Sequence, residues 1–173
     1  MTVEVRPATR DEAHIVASMM SLYLCEASPH TGHQIGDDGA YHYRDLAAYW
    51  REPGRYPFLI TEGAALAGFA LVMDRALLDP GEKGHVIAEF FVLPSCRRRG
   101  IGQAAAAALF QRFSGAWWIA EPSWNTAARA FWLSAVRRYT GGAFEEIQWE
   151  WEGEKGVAQS FTTPAPQRQA TSS

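Results

Sequence analysis

The stretch HVIAEFFVLPSCRRRGIG, from His85 to Gly102, decides how the rest of this 173-residue chain is read. Val86, Ile87, Phe90, Phe91 and Val92 form a β-branched and aromatic run, which predicts a strand with little room for solvent. Pro94 stops that strand, because proline has no N–H to give to a ladder. Three arginines and Gly100-Ile101-Gly102 follow. From Gln103 to Phe113 the chain is alanine-rich and predicts a helix.

Strand, basic glycine loop and helix, in that order, suit a phosphate. A helix N-terminus offers unpaired N–H groups and the positive end of its dipole. Glycine at 100 and 102 lets the backbone approach a ligand with no Cβ in the way. Arginines add forked donors for phosphate oxygens. A run of arginines alone reads as a solvated basic turn; the flanking strand and helix favour the phosphate. Two better-known loops do not match. There is no G-x-x-x-x-G-K-[ST], and Ala105 falls where a full G-x-G-x-x-G would have its third glycine. That partial match also lacks the early position and the repeated strand–helix units of a dinucleotide fold.

The segment Arg97-Arg98-Arg99-Gly100-Ile101-Gly102 resembles the signature of the GNAT superfamily of acyl-CoA-dependent N-acyltransferases. That pattern is arginine or glutamine, two residues, glycine, any residue, then glycine or alanine, directly after a hydrophobic strand. Downstream, Asn125, Ala128, Phe131 and Trp132 resemble the family's asparagine-led helix with its aromatic pair. The resemblance implies an α/β (α+β) fold: one domain over residues 1–163, with a mixed central sheet of about six or seven strands flanked by about four helices. It implies acetyl-CoA as co-substrate and an amine, on a small molecule or a peptide, as acceptor. The backbone of Phe90, Phe91 and Val92 would lie along pantetheine, and Arg97, Arg98, Arg99, Gly100, Ile101, Gly102 and Gln103 around the pyrophosphate. Asn125 and Trp132 match further cofactor-contacting positions, with a plain helix cap as the alternative for Asn125. A homodimer is compatible with the resemblance.

Trp132 departs from the family, many of whose members carry a tyrosine there, thought to protonate the leaving thiolate. An indole N–H is not a usable acid. Either Tyr139, further along the same helix, takes that part, or the thiolate leaves without a dedicated acid. Glu89 is the one ionisable group inside an otherwise apolar strand, and such a carboxylate needs a partner or a raised pKa. A raised pKa suits a general base for the amine, and family members often place an acid at this point. The structural alternative is a salt bridge or a backbone contact. Glu121, at the end of the next strand, is the weaker competitor.

Around this centre the chain reads as follows. Val3–Pro7 predicts a strand, and Thr9, Asp11 and Glu12 a helix start. Ile15, Met19, Leu22 and Tyr23 recur at helical spacing to about Cys25. Ser28–Ala40 reads as a loop and Tyr41–Arg51 as a second helix with Leu46, Tyr49 and Trp50 inward. Phe58–Ile60 and Ala65–Met73 predict a hairpin in which Gly68 weakens the strand or marks a bulge. Ala116–Ala120 returns as a strand parallel to the central one. Thr126–Arg138 predicts a helix, Phe144–Trp151 a half-buried strand, and Val157–Phe161 a last hairpin strand. Residues 164–173 are expected to be a disordered tail.

The acceptor is set in this family by the first helices and their loop, where Tyr23, Glu26 and Tyr41 to Tyr43 are the candidates. A net charge of −3 argues against general nucleic-acid binding through the arginines. No apolar run approaches the ~18 residues of a membrane span, and Met1-Thr2-Val3-Glu4 does not read as a signal peptide. Cys25 and Cys96 have no metal spacing and read as free thiols of a cytoplasmic protein. His30 and His33, on a glycine-rich loop, read as solvated, so no metal is expected. Three functions remain: an acetyltransferase, a CoA-binding module with weak or lost catalysis, and, least supported, an RNA-binding module.

Overall fold

The computed structural model describes residues 2–164, so the expected tail lies outside the described residues from 165 onward. Seven strands are present: β1 (Val3–Pro7), β2 (Arg55–Glu62), β3 (Ala65–Asp74), β4 (His85–Val92), β5 (Gly115–Pro122), β6 (Glu145–Trp151) and β7 (Glu154–Thr163). They form one sheet in the order β1-β2-β3-β4-β5-β7-β6. Three helices flank it: α1 (Ala13–Thr31), α2 (Ile101–Arg112) and α3 (Thr126–Thr140).

The sheet has a core on each face. Leu59, Phe69, Leu71 and Phe91 pack beneath Val16, Met19, Met20 and Leu24 of α1. Phe58, Ile60, Ala70 and Val72 point the other way, against Ile101, Ala105, Leu109 and Phe110 of α2 and Trp132 and Val136 of α3. Burial on both faces is why these strands read as unbroken apolar runs and not as alternation. Gly68 does sit at a bulge, where the β2–β3 register shifts. A Cβ there would overlap the Phe91 carbonyl oxygen, so the residue lets β3 and β4 close up.

Three expectations give way. First, α1 runs on to Thr31, through the predicted loop and past Pro29. Proline lacks the N–H that would bond Cys25 O, and the Ser28 hydroxyl donates to that carbonyl at 2.9 Å. Gly32, with φ 72°, then ends the helix. Second, the helix expected over Tyr41–Arg51 is a short 3₁₀ segment, Leu46–Trp50. Asp45 adopts a left-handed backbone, φ 60°, which no helix can pass through. Among the described residues there are therefore three α-helices where about four were expected. Third, β6 is largely exposed on both faces, because β7 inserts between it and β5 and leaves it at the edge.

Candidate active site

The site is a gap in the sheet. Every pairing is antiparallel except β4 with β5, and that parallel pair holds only at His85↔Trp117 and Val86↔Trp118. From Ile87 to Val92 the outer edge of β4 has no strand partner among the described residues. The local cause is a bulge: Leu71 pairs with Glu89 and Val72 with Ile87, leaving Ala88 over. A bulge bends its strand and re-aims the side chains beside it. Ile87 and Phe90 pack on the α2–α3 side, whereas Ala88 joins the α1 side. Glu89 also has its neighbours there.

A cleft of about 700 Å³ opens along this free edge. Phe90, Phe91 and Val92 form its floor, and Arg97, Arg98, Gly100, Gly102 and Gln103 one end. Asn125, Ala128, Phe131 and Trp132 of α3 and Tyr23 and Glu26 of α1 are the walls. Phe90 stacks on Phe131, with centroids 5.6 Å apart, and meets Trp132 edge-on at 4.9 Å. Asn125 caps α3 by accepting from Ala128 N at 3.1 Å. The volume falls within the ~300–1,000 Å³ of small-molecule sites.

The three arginines divide their work. Arg97 donates to Val92 O at 2.8 Å and grips the Glu26 carboxylate at 2.9 and 3.1 Å, bracing β4 against α1. Arg99 turns away to Glu62, at 2.8 Å, and does not line the cleft. Arg98 lines it and has no ion pair among the described residues. Arg98 and Gly100 both have positive φ, 60° and 79°, and such alternation turns successive N–H groups into a concavity that suits an anion. The first turn of α2 follows directly. The Ile101 side chain is fully buried and does not line the cleft. Gln103 is held from α3, donating to Ser134 Oγ at 3.0 Å and accepting from Arg138 at 2.9 Å.

Glu89 follows Ala88, which borders a second cavity, and precedes Phe90, which borders the cleft; its own side chain lines neither. Burial drives its carboxyl up to about 7, and the hydroxyls of Tyr23 and Tyr43 partly offset this by hydrogen bonding. The residue is only partly accessible to solvent. Tyr23 lines the cleft; Tyr43 and Tyr49 line a chamber of about 530 Å³ with Met73, Val86, Ala88, Trp118 and Trp149. Along β4, Ala88 therefore borders the chamber and Phe90 the cleft, with Glu89 between them. Tyr139 lies elsewhere, packed on Phe110 and Phe161 with centroids 5.2 and 6.4 Å away. Glu121 is buried at 3% exposure, shares an amide contact with Gln159 and lines neither cavity. His30 stacks on Trp124 at 4.8 Å. Among the described residues, no three His, Cys, Asp or Glu side chains stand close enough to hold a metal. No helix is long and apolar enough to cross a membrane.

The family model described as "Acetyltransferase (GNAT) family" matches residues 17–135. The chain belongs to the GNAT acetyltransferases. It is thus an acyl-CoA N-acyltransferase by family. Solved structures with this fold include a GNAT acetyltransferase from Streptococcus agalactiae, 14% identical over 94% of this chain and 96% of that one, with a TM-score of 0.68. The yncA protein of Salmonella typhimurium, determined with its cofactor acetyl-CoA, is 16% identical over 96% and 98%, with a TM-score of 0.62. A Bacillus anthracis protein in complex with acetyl coenzyme A is 11% identical over 95% and 100%, with a TM-score of 0.59. No curated protein matches. At such identities the likeness is one of fold. Within this GNAT domain, reading the sequence had placed Tyr23 only on the acceptor wall. Its companions Ile15 and Met19 mark it as core, but a phenol in an apolar stripe needs a partner for its hydroxyl, and that was the available signal.

Proposed function

We propose that this protein transfers an acetyl group from acetyl-CoA to a primary amine, by direct attack while both substrates are bound. The observation that carries the reading is the open edge of β4, which runs along a cleft to the N-terminus of α2 and includes Glu89. Pantetheine, which carries amides, pairs with that edge as a further strand would. The pyrophosphate meets Arg98 and the N–H groups of residues 100–103. Two structural relatives hold acetyl-CoA, which supports the same donor here. The amine enters from the chamber on the other side of Glu89, whose largely apolar and aromatic lining fits an apolar body, free or on a peptide, and whose charged members are Asp45, Arg44 and Arg55.

The chemistry asks for few parts. Holding donor and acceptor together supplies much of the rate. An alkylammonium must lose a proton before it can attack, and Glu89, poised near neutrality, is the base. The domain is taken as residues 1–163. Free Cys25 and Cys96 support a reducing, cytoplasmic setting.

Glu89→Gln keeps size and polarity and removes basicity. We expect acetyl-CoA affinity by calorimetry to stay near wild type and turnover to fall by roughly 10²-fold. The wild-type rate should decline as pH drops through about 7, as the carboxylate is protonated, and that limb should be flat in the variant. Full activity with an unchanged pH profile would make Glu89 structural. Tight CoA binding with no transfer to any amine of a broad panel would favour the CoA-binding module instead.

A further inference from the structure

The acetyl transfer proposed above also needs a proton at the sulfur, and this inference rests on that reading. The position where relatives were expected to carry a tyrosine holds Trp132, which cannot give one up. Tyr139 is packed into the α2–α3 core and lines no part of the cleft. Tyr23 is differently placed. It projects from α1 against Phe69 and Phe91, at 6.4 and 5.8 Å, and its ring forms part of the cleft wall. Glu89 pairs with Leu71 and Phe91 with Phe69, and Leu71, Phe91 and Phe69 all belong to the α1-side core that holds the Tyr23 ring. The Tyr23 phenol and the Glu89 carboxyl are thus close enough to perturb each other. Tyr43 meets the same carboxyl from the chamber side. Tyr43 on the chamber and Tyr23 on the cleft thus flank Glu89, which itself lines neither cavity.

We propose that Tyr23 is the catalytic acid of this transferase, returning to the leaving sulfur the proton that Glu89 removes from the amine. The nitrogen lone pair forms the new bond to the acetyl carbon, and the carbon–sulfur bond breaks with its electron pair on sulfur. The amine proton passes to Glu89. The Tyr23 O–H proton passes to the sulfur as the Tyr23 oxygen takes the proton from Glu89, which ends as the carboxylate it began as. The balance is one proton moved from nitrogen to sulfur, with no other reactant. Burial and the Glu89 charge hold the Tyr23 phenol well above its usual range, so a lasting phenolate is disfavoured and the two transfers go together. A carboxyl near 7 handing its proton to a thiolate, whose acid form lies about 8.5 in cysteine, runs downhill. The groups facing Glu89 are Tyr23 from α1 and Tyr43, and the Glu89 charge also reaches the neutral phenol of Tyr49.

The test is the single-turnover rate of Tyr23→Phe, in water and in mixtures with deuterium oxide. The expected result is a fall of about 10- to 10²-fold with acetyl-CoA affinity within a few-fold of wild type. The bowed dependence on deuterium fraction, a sign of two protons in flight, should become a straight line. The low-pH limb set by Glu89 should remain. Tyr43→Phe should weaken amine binding and keep the bowed dependence. A wild-type rate in Tyr23→Phe overturns the proposal, as does a lowered rate that keeps the bow, because that marks Tyr23 as packing. Straightening in Tyr43→Phe instead also overturns it. A wild-type protein that moves no acetyl group from acetyl-CoA to any amine defeats the broader reading of function, which is a different outcome.

Discussion

Gly102 shows how a single missing methyl shapes the cleft. A Cβ there would lie 3.0 Å from the Phe131 ring, which is tighter than a relaxed contact, and 3.6 Å from Val92. Phe131 borders the cleft, so the ring has somewhere to go: into the space where the donor must lie. Gly102→Val should therefore weaken CoA binding by 10-fold or more in calorimetry while costing about 1–3 kcal/mol of stability, the usual range for overpacking. Unchanged affinity in the folded variant would place the donor elsewhere. At this scale the sequence was informative where function is local. Residues 97–103 are contiguous, so the glycines and the helix start could be read together. Which arginine is free could not, because Arg97 and Arg99 find Glu26 and Glu62, partners 71 and 37 residues away. Tyr139 and Tyr23 could not be ranked for the same reason: the distance of a phenol from Glu89 depends on packing, not spacing.

Among the elements, α3 carries two duties on one residue. Asn125 caps the helix and also faces the cleft. Asn125→Ala should lower stability by about 1 kcal/mol through the lost cap and weaken CoA binding as well. Asn125→Asp keeps an accepting cap oxygen, which suits a helix N-terminus, yet places a negative charge beside the anionic donor. Its thermal midpoint should stay near wild type while affinity falls; equal losses in both variants would mean that Asn125 acts on the helix alone. The existence of β4, α2, β5 and α3 was legible, since periodicity and glycine punctuation are local. Three things were not. The left-handed Asp45 leaves no trace in composition, and Ser28 covering for Pro29 looks in sequence like a helix end. The bulge at Ala88 exists only in the register with β3.

For the molecule as a whole, the buried Glu121 links stability to pH. It sits on the α3 face of β5 beside Gln159 and Glu146, and burial pushes its carboxyl up to about 8. In the unfolded chain the group titrates near the ordinary ~4.3. Its contribution is therefore fully present below that value and is lost as pH rises through about 8. Glu121→Gln removes the titration but keeps the shape. Between about pH 5 and about pH 9 the wild-type melting temperature should fall relative to the variant; a constant difference would show that the carboxyl is not held neutral. The sheet itself has a further consequence. Its fourth and fifth strands part after two pairs, so from Ile87 to Phe91 the edge of β4 has no neighbouring strand among the described residues, an interior version of the exposed edges that folded proteins hide. A donor lying there as proposed is the eighth strand, and it stabilises by mass action. Starved of donor, each copy of the enzyme would open more often and meet proteases sooner, so the supply of its own substrate would set how long it survives.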